Sequence, residues 1–140
     1  MRKVKEFIVD GEPQGKARPR FARTRKGVRT FTPQKTMEYE EEVRLAYLTQ
    51  CKKEIIEGPV KVYIQANFSI PKSWSKSRKV YAHSGMIKPT KKPDVDNIAK
   101  AVCDALNGIA YKDDSQIVKL TVEKYYAPVA FVSVTIEGVE

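Results

Sequence analysis

Residues 60–70 form the clearest periodic stretch of the chain. Val60, Val62, Ile64, Ala66, Phe68 and Ile70 alternate with Lys61, Tyr63, Gln65, Asn67 and Ser69. Successive side chains of a strand point to opposite faces, so this pattern predicts a strand with one buried face. Gly58-Pro59 stands before it and Pro71 closes it. Such a strand needs neighbours at its edges and helices over its apolar face, which points to an α+β architecture.

The other elements follow from the same two periods. Val4 to Val9 reads as a first strand, with Phe7 and Val9 on one face and Ile8 on the other, ended by the turn residues Asp10-Gly11-Glu12-Pro13. A helix begins at Thr32-Pro33, with Thr32 as N-cap and Pro33 in the first helical position. Tyr39, Val43, Ala46, Tyr47 and Ile55 form its apolar stripe, and Gly58-Pro59 stops it. A second helix runs from about Val95 to Asn107, with Val95, Ile98, Val102, Ala105 and Leu106 recurring at helical steps and Gly108 just past its end.

Val118, Leu120 and Val122 then alternate with polar residues, as do Val132, Val134 and Ile136. The short link around Tyr126-Ala127-Pro128 predicts that these two strands form a hairpin. The expected order is β-α-β-α-β-β: a mixed sheet packed by two main helices in one domain spanning residues 1–140. The 140 residues suffice for a core without disulfide or structural metal.

Cys51 and Cys103 belong to no Cys-x-x-Cys pair and are expected as free, packed thiols, and His83 is the sole histidine. Zinc sites, which need several such ligands, are therefore not expected. No apolar run approaches the roughly 20 residues that span a bilayer. Without a leader-like start, a cytosolic protein is expected.

The net charge of +9 is unevenly placed. Residues 14–35 hold eight Lys or Arg, residues 71–92 hold seven, and neither segment holds an acid. Two segregated cationic segments on an otherwise acidic body point to a polyanion partner. In the first, the basic arm, Phe21 to Phe31 either forms a hairpin turning at Lys26-Gly27 or stays a disordered basic loop. In the second, Ser73 to Lys79 sets Trp74 among hydroxyls and bases, as a short helix or an irregular loop. Candidate phosphate contacts are Lys16, Arg18, Arg20 and Arg23 in the arm, and Lys72, Lys76, Arg78, Lys79, Lys91 and Lys92 in the loop.

Directly after that loop the acids gather: Asp94, Asp96, Asp104, Asp113 and Asp114. Asp94 and Asp96 straddle a loop-to-helix junction, where two carboxylates can turn toward one ion. Carboxylates without Cys or His select a hard cation, magnesium or manganese. The alternative for each residue is ordinary structure: Asp94 as a cap, Asp96 paired with Lys100, and Asp113-Asp114-Ser115 as a solvated turn. Lys100 either neutralises the carboxylates or stabilises charge developing on phosphorus. Asp104 and Asn107 are read as structural.

Lys92-Pro93-Asp94-x-Asp96-Asn97-x-x-Lys100, Asp104-Ala105-Leu106-Asn107-Gly108 and Asp113-Asp114-Ser115-Gln116-Ile117 closely resemble the motifs of the RusA family of Holliday junction resolvases. Gly11 to Arg20 resembles that family's N-terminal segment, and Ile70-Pro71-Lys72-Ser73-Trp74-Ser75 fits its phage and prophage branch. The resemblance implies a magnesium-dependent (Mg2+, with manganese substituting) endonuclease. It would act as a homodimer on four-way DNA junctions and nick two strands symmetrically. It implies Asp94, Asp96 and Asp114 as metal ligands and Lys100 as the catalytic lysine. Because the segment from Leu106 to Asp113 is a residue shorter than in the best-known member, Asp113 stands as the alternative to Asp114. A non-catalytic DNA- or RNA-binding protein is the second reading and a ribonuclease the third.

Overall fold

The computed structural model describes residues 3–17, 20–31 and 33–139, so the expected N-cap Thr32 and the candidate contact Arg18 lie outside the described residues. The elements are β1 (Val4–Asp10), β2 (Arg20–Thr24), β3 (Gly27–Phe31), α1 (Gln34–Gln50), β4 (Val60–Ser69), α2 (Lys76–His83), α3 (Val95–Ala105), a 3-10 turn (Asp114–Gln116), β5 (Ile117–Ala127) and β6 (Phe131–Gly138). The fold is α+β, as expected. A four-stranded mixed sheet in the order β1-β6-β4-β5 carries the core, and β2 and β3 form a separate two-stranded ribbon.

β4 takes an interior place because ten residues with a buried apolar face leave backbone groups on both edges that need partners. It pairs antiparallel with β6 and parallel with β5. Val62 lies opposite Ile136, Ile64 opposite Val134 and Ala66 opposite Val132. Val134 and Val132 lie in turn opposite Phe7 and Val9 of β1, which makes one continuous apolar layer. Tyr39, Val43 and Tyr47 of α1 and Ile98, Val102 and Ala105 of α3 belong to the same buried cluster. Tyr47 is fully buried, with its ring edge-on to Phe7 at 5.5 Å between centroids.

Several expectations are corrected. β5 and β6 do not form a hairpin, because β4 lies between them. The chain crosses the end of β4 through Pro128, Val129 and Ala130, and two strand spacings, roughly 10 Å, are within reach of that link. β5 is consequently an edge strand, and Val118 and Leu120, expected in the core, are 63% and 45% exposed. Alternation alone cannot distinguish a strand whose apolar face is covered from one that runs past its cover.

α1 ends at Gln50 rather than near Gly58, the chain turning extended at Cys51, while the Gln50 side chain ties the helix end to β1, accepting from Ile8 N at 2.9 Å and donating to Ile8 O at 2.8 Å. Ile55 is exposed, and its neighbour Ile56 packs instead, its N–H donating to Ala110 O. α3 is shorter than expected, stopping at Ala105, and Val95 in its first turn is exposed. Residues 73–79 lead into a true helix, since Ser75 caps α2 by accepting from Arg78 N at 3.3 Å. The basic arm forms a hairpin turning at Arg25-Lys26, one residue earlier than expected, with Gly27 at φ +125° where L residues are disfavoured.

The buried Tyr47 hydroxyl has no hydrogen-bond partner among the described residues, and burial pushes its pKa up. Removing an unpaired buried hydroxyl costs little, whereas removing the ring empties the core. Tyr47→Phe is expected to leave the melting temperature unchanged or slightly raised. Tyr47→Ala should cost about 3–5 kcal/mol, a fall of at least about 8 °C by calorimetry.

Candidate active site

α3 presents two faces. Ile98, Val102 and Ala105 are buried, while Asp96, Lys100 and Asp104 recur every four residues along the opposite stripe. Asp94 is the N-cap residue, yet its side chain makes no cap hydrogen bond, so its carboxylate is not used by the helix. It faces a cleft of about 560 Å³ shared with Gly15, Lys16, Lys35, Lys92 and Asn97. A second cleft, about 490 Å³, is lined by Asp96, Lys100, Cys103, Asp104 and Asp114 and walled by Ile117 to Leu120 of β5.

The two members of Asp113-Asp114 are used differently. Asp113 caps the 3-10 turn, accepting from Ser115 N at 3.0 Å, and these bonds hold its carboxyl below the usual range. Gln116 fixes the same turn by accepting from Lys112 N and Asp113 N and donating to Ile56 O and Gly58 O. Asp114 is left facing the second cleft. Its pKa is raised by partial burial first, then by the charges of Asp113 and Asp104 and a side-chain hydrogen bond with Asp104, with Lys100 opposing.

Asp104, read from sequence as structural, is the hub of this cluster. Its Oδ2 lies 3.3 Å from Lys16 Nζ and 3.5 Å from Lys100 Nζ. Lys100 thus pairs one turn forward with Asp104, not backward with Asp96. Lys16, counted among the phosphate contacts, is turned inward, since it also meets Glu40 of α1 at 3.2 Å. The regular four-residue spacing of Asp96, Lys100 and Asp104 was the signal that could have included Asp104 in the site.

Of the other described basic candidates, Lys92 lines the first cleft and the rest lie outside both clefts. Lys72, Lys76, Arg78, Lys91, Lys92 and Arg23 are exposed and Lys79 is half-buried, with the Arg78 guanidinium 3.9 Å above the Trp74 ring. Arg20 opens β2. The expected surface residue His83 is exposed at the end of α2. Both cysteines are free, and burial pushes the Cys103 thiol up to about 11.

Among the described residues no three Asp, Glu, His or Cys side chains stand close enough to form a metal cluster. Asp94 opens on one cleft, and Asp96 and Asp114 on the next. The chemistry of the second cleft nevertheless suits a hard divalent cation. Its acidic donors are all carboxylates, and Asp114 and Asp104 sit within mutual hydrogen-bonding reach, where a cation would relieve the repulsion that, after partial burial, raises the Asp114 pKa.

No helix among the described residues is long and apolar enough to cross a membrane. A family model described as endodeoxyribonuclease RusA matches residues 10–137. An uncharacterised protein of Bacillus subtilis strain 168, YqaN, is 40% identical over 136 residues, covering 96% of each chain.

The first cleft is built on a close approach at Gly15. A Cβ there would fall 2.9 Å from the Cβ atoms of both Asn97 and Pro93, while Lys16 N donates to Asn97 O at 3.0 Å. Gly15→Ala is expected to push this segment off the α3 entrance, read as faster amide exchange at Lys16 with exchange in β4 and β6 unchanged.

Proposed function

The chain belongs to the RusA family of endodeoxyribonucleases, and from that premise we propose that it cuts four-way DNA junctions with magnesium, or manganese in its place, at the acidic face of α3. The family is one of metal-dependent Holliday junction endonucleases. The observation that carries the residue-level reading is the convergence of Asp96, Lys100, Asp104 and Asp114 on one cleft beside exposed cationic surfaces. Asp96 and Asp114 would hold the cation in this cleft, with Asp104 beside them, and Asp94 would join them from the adjoining cleft at the helix entrance. A bound cation would polarise the scissile phosphate and lower the pKa of an attacking water.

The chain's own groups do the rest. Asp104 holds the Lys100 ammonium at the cleft, where it offsets negative charge accumulating on the phosphorus oxygens as the P–O bond breaks. Arg18, Arg20 and Arg23 of the arm, and Lys72, Lys76, Arg78, Lys79, Lys91 and Lys92 of the loop and α2, hold the backbone phosphates. Lys16, fixed between Glu40 and Asp104, supports the site from within. Cutting two opposed strands symmetrically calls for two such sites, hence a homodimer, acting in the cytoplasm on recombination intermediates.

Asp96→Asn is expected to retain or tighten junction binding, since it removes a negative charge, while cleavage falls at least about 100-fold. A panel of four-way, three-way, flap and linear DNAs with magnesium measures both, and undiminished cleavage by this variant would overturn the residue assignment.

A carboxyl whose pKa is raised on folding adds stability at low pH that is lost as pH rises through its native value. Asp114 is such a group. In chelator, Asp114→Asn should therefore lose less melting temperature than the wild type as pH rises above the ordinary aspartate value of 3.8, and it should not cleave with magnesium.

A further inference from the structure

We propose that the β2–β3 hairpin is a branch-sensing arm that lays an apolar face against the unstacked base pairs at the centre of a DNA junction. The inference rests on the junction-cutting reading and adds to it the element that tells branched from linear DNA. Among the described residues the hairpin packs mainly against itself and makes no extensive contact with another element. Its register sets Phe21 opposite Thr30 and Arg23 opposite Val28. Phe21 and Val28 are therefore diagonal neighbours on one face, which Arg23 and Thr30 share. They are 74% and 67% exposed.

A two-stranded ribbon is marginal alone in water, and one with an uncovered apolar face calls for a partner. The charge of the ribbon says which. Arg20, Arg23, Arg25, Lys26 and Arg29 occur within residues 20–31 with no acid. A ribbon of this kind fits the roughly 12 Å major groove, and its cations meet phosphates on either side.

Phosphate attraction alone does not separate a junction from a linear duplex, but the apolar face does. In linear DNA every interior base pair is stacked on both sides, so burying Phe21 against a base requires unstacking first. In the open form of a four-way junction, which chelator favours, the central pairs are stacked on one side only, and an aromatic ring gains stacking without that cost. The hairpin is rooted for this task. Lys16 N is bonded to Asn97 O of α3, and Ala17 N donates to Thr36 Oγ1 of α1 at 3.1 Å, so the arm leaves the body beside the cleft that holds Asp94.

The test is binding in chelator, where cleavage is off, to a four-way junction carrying 2-aminopurine at its centre and to linear duplex of equal length. Wild type should prefer the junction and change the 2-aminopurine fluorescence. Phe21→Ser with Val28→Ser should lower the junction-to-duplex affinity ratio at least about fivefold and remove the fluorescence change. Arg23→Gln should weaken both DNAs alike. Because the substituted side chains are exposed, an unchanged melting temperature confirms that the fold is intact.

A wild type that prefers and cuts junctions, together with a serine variant of unchanged ratio, would overturn the arm alone. A wild type that neither prefers nor cuts them would overturn the arm and the proposed function together. A serine variant that changed oligomeric state in sizing chromatography without changing the ratio would assign the face to a second copy of the chain and also overturn the arm.

Discussion

The ion-pair network centred on Asp104 joins parts of the chain that the sheet alone does not hold together. Lys16 comes from the stretch after β1, Glu40 from α1, and Asp104 from α3, and the one ammonium meets both carboxylates. All three side chains are at least four-fifths covered. Leaving one of them unpaired at such a site costs far more than an exposed ion pair contributes. The network therefore fixes where the N-terminal segment crosses the α3 entrance, and with it the separation of the two clefts. It also leaves Lys100 as the exposed member of the cluster, tethered by Asp104 but reaching the surface where a phosphate would approach.

Much of the scaffold was legible because its signals are local. The alternation in residues 60–70 and 132–136 and the helical recurrence of Ile98, Val102 and Ala105 each report one buried face, and each face is buried. Strand pairing is not local, since nothing in residues 117–136 says that β4 will lie between β5 and β6. The exposure of Val118 and Leu120 follows from that topology. Cap chemistry was similarly hard to apportion, because both residues of Asp113-Asp114 are capable N-caps. The choice falls to Asp113 because Gln116, three residues on, closes a capping box with it.

The site was legible in composition more than in geometry. Asp96, Lys100 and Asp114 line one cleft, but Asp94 opens on the neighbouring one, and Asp104, set aside as a helix-surface group, pairs with both Lys16 and Lys100. Lys16 shows why charge counts mislead at single positions. A lysine in a cationic segment reads as a phosphate contact, yet two carboxylates distant in sequence claim it. Only the tertiary fold distinguishes a cation aimed at solvent from one that balances the interior.

Three features of this chain run against stability taken alone: the hydrogen-bonded carboxyls of Asp104 and Asp114, the uncovered apolar pair on the β2–β3 ribbon, and the exposed apolar start of β5. Sequences that specify a fold are consistent at every level except where function imposes otherwise. These exceptions are not scattered. The carboxyl pair and the start of β5 share a cleft, and the ribbon springs from the segment that lines the adjoining one. Local costs gathered along a single helix, on an otherwise regular sheet-and-helix core, are what a site for a metal-dependent reaction on a polyanion requires: acids lining a common cleft, and cations and apolar groups left exposed until the nucleic acid arrives.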